Sequence, residues 1–337
     1  MVLKQRLDKS IMIHKKILII APYPIVSPQH GGQKRLHAIV DHYKNIFARV
    51  DFKAIYNPNH YIDRGENDLL ISDVNILSHY QKMPYNAAMI TGRALYDDPH
   101  IKHSLIEYNN REKPDIIEIE QPFFYDSLLK LLKECRVKPK IILSSHNIES
   151  DMKKDTFIDL GVGKDVYQPI VEQIEKLERK VSQEADFVFA VSNEDAEDHR
   201  RLGTKDVLTI PNGIARSVPS KRSIQKWETY LKKHKITKPI LFVGSGHAPN
   251  WKGFEKMVGT DLSYLDRGAK IFLVGAVSDY FKQNITDKAF WEKVEALGRV
   301  DESDLSALLH VSDTILLPIL SGGGSNLKTA EAPLANK

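Results

Sequence analysis

Residues Leu316–Glu331 read LLPILSGGGSNLKTAE. An apolar run, Thr314–Leu320, reads as a strand and ends in Gly322, Gly323 and Gly324. A polar turn follows at Ser325 and Asn326, and then a helix start carrying Lys328 and Glu331. Glycines let backbone N–H groups come close to a ligand, and a helix N-terminus attracts anions. Lys328 adds positive charge at that end. Glu331, about one turn further on, can accept hydrogen bonds from a ribose diol. The segment therefore holds parts for both the phosphates and the sugar of a nucleotide.

The same strand–turn–helix unit recurs upstream. Strands are predicted at Lys16–Ala21, Val50–Tyr56, Asp115–Ile119, Lys140–His146, Asp186–Val191 and Val207–Ile210. Helical patterns fall at Gln33–Phe47, Phe123–Cys135 and across Glu149–Glu184, with helices and long loops over residues 57–110. Residues 215–238 are polar and basic and read as a linker, with a helix near Ile224–Lys233. The alternation restarts with strands at Ile240–Gly244, Lys270–Gly275, Leu297–Val300 and Thr314–Leu320. Continuous apolar strands separated by helices predict parallel sheets covered on both faces. The expected fold is α/β: two doubly wound Rossmann-like domains facing a cleft, over residues 1–214 and 239–337.

A length of 337 residues suits two domains. With 48 basic and 44 acidic residues the formal charge is +4, which carries no nucleic-acid signature. Cys135 is the only cysteine, so no intrachain disulfide forms, and a reducing cytoplasm fits. The histidines form no HxxxH or HExxH pair, and no metal site is expected. No apolar run approaches the ~20 residues of a membrane helix. The N-terminus is basic but is not a secretory signal; it is compatible with contact at an anionic membrane surface.

Ligands of such sheets gather at the carboxyl ends of the strands. After the first strand, Gly31 and Gly32 precede a helix bearing Lys34 and Arg35 and could cradle phosphate or sugar hydroxyls, or form a structural turn. The loop is not GxGxxG, which argues against a dehydrogenase. His146 ends the Lys140–His146 strand, where it could hydrogen-bond a sugar hydroxyl; Glu149 could cap the next helix. Pro211-Asn212-Gly213 makes a tight turn that can present Asn212. After Ile240–Val243, Gly244-Ser245-Gly246-His247 leads to Asn250, Lys252 and Gly253, a glycine-lined turn with a lysine that can grip a diphosphate.

Taken in order, these markers resemble the retaining glycosyltransferases of the GT-B architecture, family four. They are the Gly31-Gly32 loop, HNIE at 146–149, IPNGI at 210–214, FVGSGHAPNWKG at 242–253, and GRVDESDLSALLHVSD leading into the triple-glycine run. The resemblance covers residues 16–332. It implies a nucleotide-sugar donor held mainly by the second domain. Glu331 matches the second of the family's paired glutamates and binds the donor ribose. Lys252 matches the lysine that neutralises the diphosphate, and His146 a histidine near the transferred sugar. Arg299 and Val300 border the base, and Gly246, Asn250 and the 322–326 turn complete the donor site. Gly323 stands where the family has its first glutamate, and His247 where it has an arginine; Lys328 can supply the missing charge. The family continues with further strand and helix, so the second domain is expected to be incomplete at Lys337.

The implied activity is transfer of a sugar, with retention, from a nucleoside diphosphate sugar to a glycan or lipid-linked acceptor. His146, Lys252 and Lys328 would carry the chemistry, with no protein nucleophile, no cofactor and, lacking a DxD motif, no metal. The expected location is cytoplasmic, at the inner membrane face where the acceptor is lipid-borne. Rival readings are a sugar epimerase or phosphorylase on the same scaffold, or a catalytically dead nucleotide-sugar-binding protein.

Overall fold

A computed structural model describes residues 14–28, 30–61, 63–75, 87–213, 218–246 and 248–320. The chain divides into two units. One comprises Met1–Lys154 and Lys164–Asn212, the other Asp155–Gly163 and Gly213–Lys337.

In the first unit seven described strands form one parallel sheet. They are β1 (Lys16–Ala21), β2 (Arg49–Tyr56), β3 (Leu69–Leu70), β4 (Ile116–Glu120), β5 (Lys140–Ser144), β6 (Phe187–Ala190) and β7 (Val207–Thr209), in the order β3-β2-β1-β4-β5-β6-β7. Helices α1 (Gly31–Tyr43), α2 (Ala87–Asp97), α3 (Pro99–Glu112), α4 (Tyr125–Lys133), α5 (Glu149–Asp159), α6 (Lys164–Glu184) and α7 (Asn193–Leu202) connect them, α5 from Asp155 onward being counted with the other unit. Alternate side chains of a strand point to opposite faces. Leu18 and Ile20 of β1 accordingly join the core under α2, α3, α4 and α6, while Ile17 and Ile19 join Leu36 and Val40 of α1 on the other face.

The second unit has a four-stranded parallel sheet among the described residues, ordered β10-β9-β8-β11. It contains α8 (Lys221–Lys233), β8 (Lys238–Val243), α9 (Ala248–Met257), β9 (Ala269–Val274), α10 (Val277–Asn284), α11 (Lys288–Lys293), β10 (Val294–Gly298), α12 (Glu302–Val311) and β11 (Thr314–Ile315). Phe254, Phe281 and Phe290 pack on one face of this sheet, and Trp227, Ala307 and Leu308 on the other.

The helix expected near Ile224–Lys233 is α8, whose Trp227 is buried against Phe272 of β9. Ile224, Trp227, Tyr230 and Leu231 recur at helical spacing and form one apolar stripe on an otherwise polar helix. The strand predicted to run to Leu320 stops at Ile315. Leu316 N–H still reaches Leu241 O at 2.8 Å, but Pro318 has no N–H to donate, and the chain leaves the ladder.

No described helix is long and apolar enough to cross a membrane. His199 of α7 is fully buried, with Nδ1 2.9 Å from Ser182 Oγ. Burial lowers its pKa from 6.5 to about 4. The neutral ring therefore contributes stability above the unfolded pKa that is lost as pH falls from about 6.5 to about 4, worth roughly 3 kcal/mol in total. We expect urea titrations across this window to show a steep loss of stability on acidification that His199→Gln flattens. An unchanged slope in the variant would refute this account.

Candidate active site

In a doubly wound sheet, ligands gather outside the carboxyl ends of the strands where the strand order reverses. In the first unit this point lies between β1 and β4. Glu120 is the last residue of β4, and His146 lies two residues past β5. The His146 Nε2 and Glu120 Oε2 atoms are hydrogen-bonded. Glu118 sits two residues earlier on the same face of β4, and Tyr43 Oη of α1 donates to its Oε2 at 3.0 Å. Both carboxyl groups are fully buried. Burial, and then the neighbouring Glu120 charge, push Glu118 well above the usual carboxylate range.

Tyr23, two residues past β1, lies edge-on to His30, with ring centroids 4.9 Å apart, and 6.4 Å from the His146 ring. Burial and Glu120 hold its hydroxyl neutral. A Cβ on Gly32 would stand 2.7 Å from Tyr23 Oη, so the glycine makes room for the tyrosine beside the helix start. Gly31 is exposed at the first position of α1. Arg35 is buried, and its Nη1 donates to Ile210 O at 3.0 Å and Asn212 Oδ1 at 2.6 Å. The Pro-Asn-Gly turn thus anchors α1.

Glu149 is buried at the start of α5 and accepts from Asn147 Nδ2 at 3.1 Å. The backbone N–H groups of Glu149 and Ser150 both donate to the Glu178 carboxylate of α6. Burial raises Glu178 to about 7.

In the second unit the reversal lies between β8 and β11. Gly244, Ser245 and Gly246 leave β8. Gly275, with φ +96°, leaves β9, and a Cβ there would meet Gly244 O at 2.3 Å. Gly246 is uncrowded: the nearest atoms to a Cβ would be 3.7 Å away. Asn250 folds back onto the turn, donating to Ser245 O at 3.1 Å and Ser245 Oγ at 2.8 Å. Lys252 donates to the Asp159 backbone carbonyl and to Asp159 Oδ1 at 3.1 Å. A Cβ on Gly253 would lie 2.0 Å from Pro318 O, so the chain leaving β11 runs directly against α9. Arg299 is exposed, whereas Val300 leans on the core under α12. His247, Gly322, Gly323, Gly324, Ser325, Asn326, Lys328 and Glu331 lie outside the described residues.

Of the predicted residues, His146 and Gly32 meet around Tyr23 in the first unit, and Gly246 and Asn250 share the β8–α9 turn in the second. Glu118, Glu120, Tyr23 and Glu178 escaped the sequence reading. Their signal was faint: carboxylates at alternate positions inside the apolar run Ile116–Glu120 (IIEIE).

Residues 77–217 match the family model described as Glycosyltransferase Family 4. Sucrose-phosphate synthase from Thermosynechococcus elongatus is similar in fold, with TM-score 0.67 and 13% identity over 95% of this chain and 79% of that one. Anabaena HepE in complex with UDP gives 0.61 and 15% over 96% and 79%. An E. coli trehalose-6-phosphate protein bound with UDP-2-fluoro glucose gives 0.57 and 13% over 95% and 81%. No curated protein matches the sequence. The fold is of the GT-B kind, two Rossmann-like units with parallel sheets.

Proposed function

We propose that this protein, whose residues 77–217 match the Glycosyltransferase Family 4 model, is a glycosyltransferase that takes its sugar from a nucleoside diphosphate donor and passes it, with retention, to a glycan or lipid-linked acceptor. The observation that carries the reading is the β8–α9 turn. Gly244 to Gly246 bring bare backbone to the carboxyl edge of the second sheet, and Lys252 stands on the helix that follows. Backbone amides and a cation aimed at a leaving diphosphate lower the barrier as the anomeric bond breaks. Two of the solved structures similar in fold hold UDP or a UDP-sugar analogue, which favours the same donor class here. His146 and Gly32 serve the transferred sugar and the acceptor. Lys328, the 322–326 turn, Glu331, Arg299 and Val300 complete the donor site in this proposal. The donor is a substrate, and neither cofactor nor metal is invoked.

The test is a thermal-shift screen of UDP- and GDP-sugars. A ligand present at 100 times its Kd should add about 2.7 kcal/mol of stability. With a donor in hand, proton NMR of the product should show the anomeric coupling of the donor. Failure of every nucleotide sugar to bind would sink the donor assignment, and an inverted product would sink retention alone.

A further inference from the structure

The cluster between β1 and β4 sets two buried carboxyl groups, Glu118 and Glu120, beside His146. We infer that Glu120 is the positioning residue of His146: its carboxylate holds the proton of Nε2, fixes one ring tautomer and leaves Nδ1 as the acceptor.

Glu120 is anchored as few side chains are. It closes β4, which pairs on one side with β1 and on the other with β5, where Glu120 lies opposite Ser144. His146 follows a turn fixed by Ser145, whose N–H donates to Phe189 O at 2.8 Å and whose hydroxyl donates to Asn147 O at 2.9 Å. Ring and carboxylate are therefore presented to each other by rigid backbone.

Buried polar atoms are costly when unpaired. Glu118 Oε1 and Glu120 Oε1 are both buried without a protein partner among the described residues. Tyr43 donates to the other oxygen of Glu118. The other oxygen of Glu120, Oε2, faces His146 Nε2. An imidazole whose Nε2–H is so held has Nδ1 free to accept, which suits a sugar hydroxyl. That last step alone rests on the transferase reading.

The experiment uses the full chain with 15N-labelled histidine, at alkaline pH where the rings are neutral. The His146 signals are assigned by their loss in His146→Gln. Wild type should show the Nε2–H tautomer. Glu118→Gln, which leaves the Glu120–His146 contact in place, should keep it. Glu120→Gln, which removes the charge, should give the Nδ1–H form or a mixture. With an identified UDP-sugar, Glu120→Gln should lower kcat by about tenfold or more with little change in KM. An Nδ1–H tautomer in wild type would overturn the inference even if neither variant folds. Identical behaviour of the two variants would overturn it as well. The tautomer is read without donor, so absence of transferase activity would count against the functional proposal and leave this inference to the ring signals.

Discussion

Trp227→Ala is expected to cost the second unit about 3–5 kcal/mol, the range for deleting a buried aromatic ring. Trp227 is 6% exposed. Its ring meets those of Tyr230 and Phe272 edge-on, and its Nε1 donates to Asp304 Oδ1 of α12 at 3.1 Å. Removing it leaves a cavity between α8, α12 and the sheet and strips Asp304 of one donor. Urea unfolding followed by circular dichroism would read the loss. Glu228→Ala, an exposed neighbour on the same helix, should stay within about half a kcal/mol. A Trp227 effect that small would mean that the helix merely tethers the two units.

Lys252→Ala is expected to weaken UDP binding by roughly tenfold to a hundredfold, the worth of one or two hydrogen bonds to a charged group, while free uridine binds as before. The ammonium is already matched by Asp159, so an incoming diphosphate exchanges for that carboxylate. Asp159→Asn should therefore tighten UDP binding by a few-fold, although the Asp159 carbonyl contact persists. Calorimetry with UDP and uridine on the three proteins decides the matter. If Lys252→Ala weakens both ligands alike, the lysine does not serve the phosphates.

The scaffold was legible wherever one physical signal dominated. β1 is predicted and observed at Lys16–Ala21, and β9 is displaced by one residue, because β-branched runs with polar ends have few other homes. Longer-range effects were less visible. The end of β11 was one of them: the strand stops early because a proline lies inside an apolar run. The site was half legible. Glycines and a histidine at strand ends announce themselves by position. Carboxylates in β4 do not, since a buried acid takes its meaning from partners far away in the chain: Glu118 needs Tyr43, and Glu120 needs His146. Asn212 was read as presented to a ligand, yet its Oδ1 accepts from Arg35 across 177 residues.

The carboxylate of Glu178 has a consequence for selectivity. In many parallel sheets the first turn of the helix after a central strand is a harbour for sulfate or inorganic phosphate. Here the berth is taken. The opening amides of α5 are claimed by an acid tethered to the chain itself, and a mobile oxyanion would have to evict a resident that cannot diffuse away. A free phosphate at that corner would have to displace Glu178 from both amides.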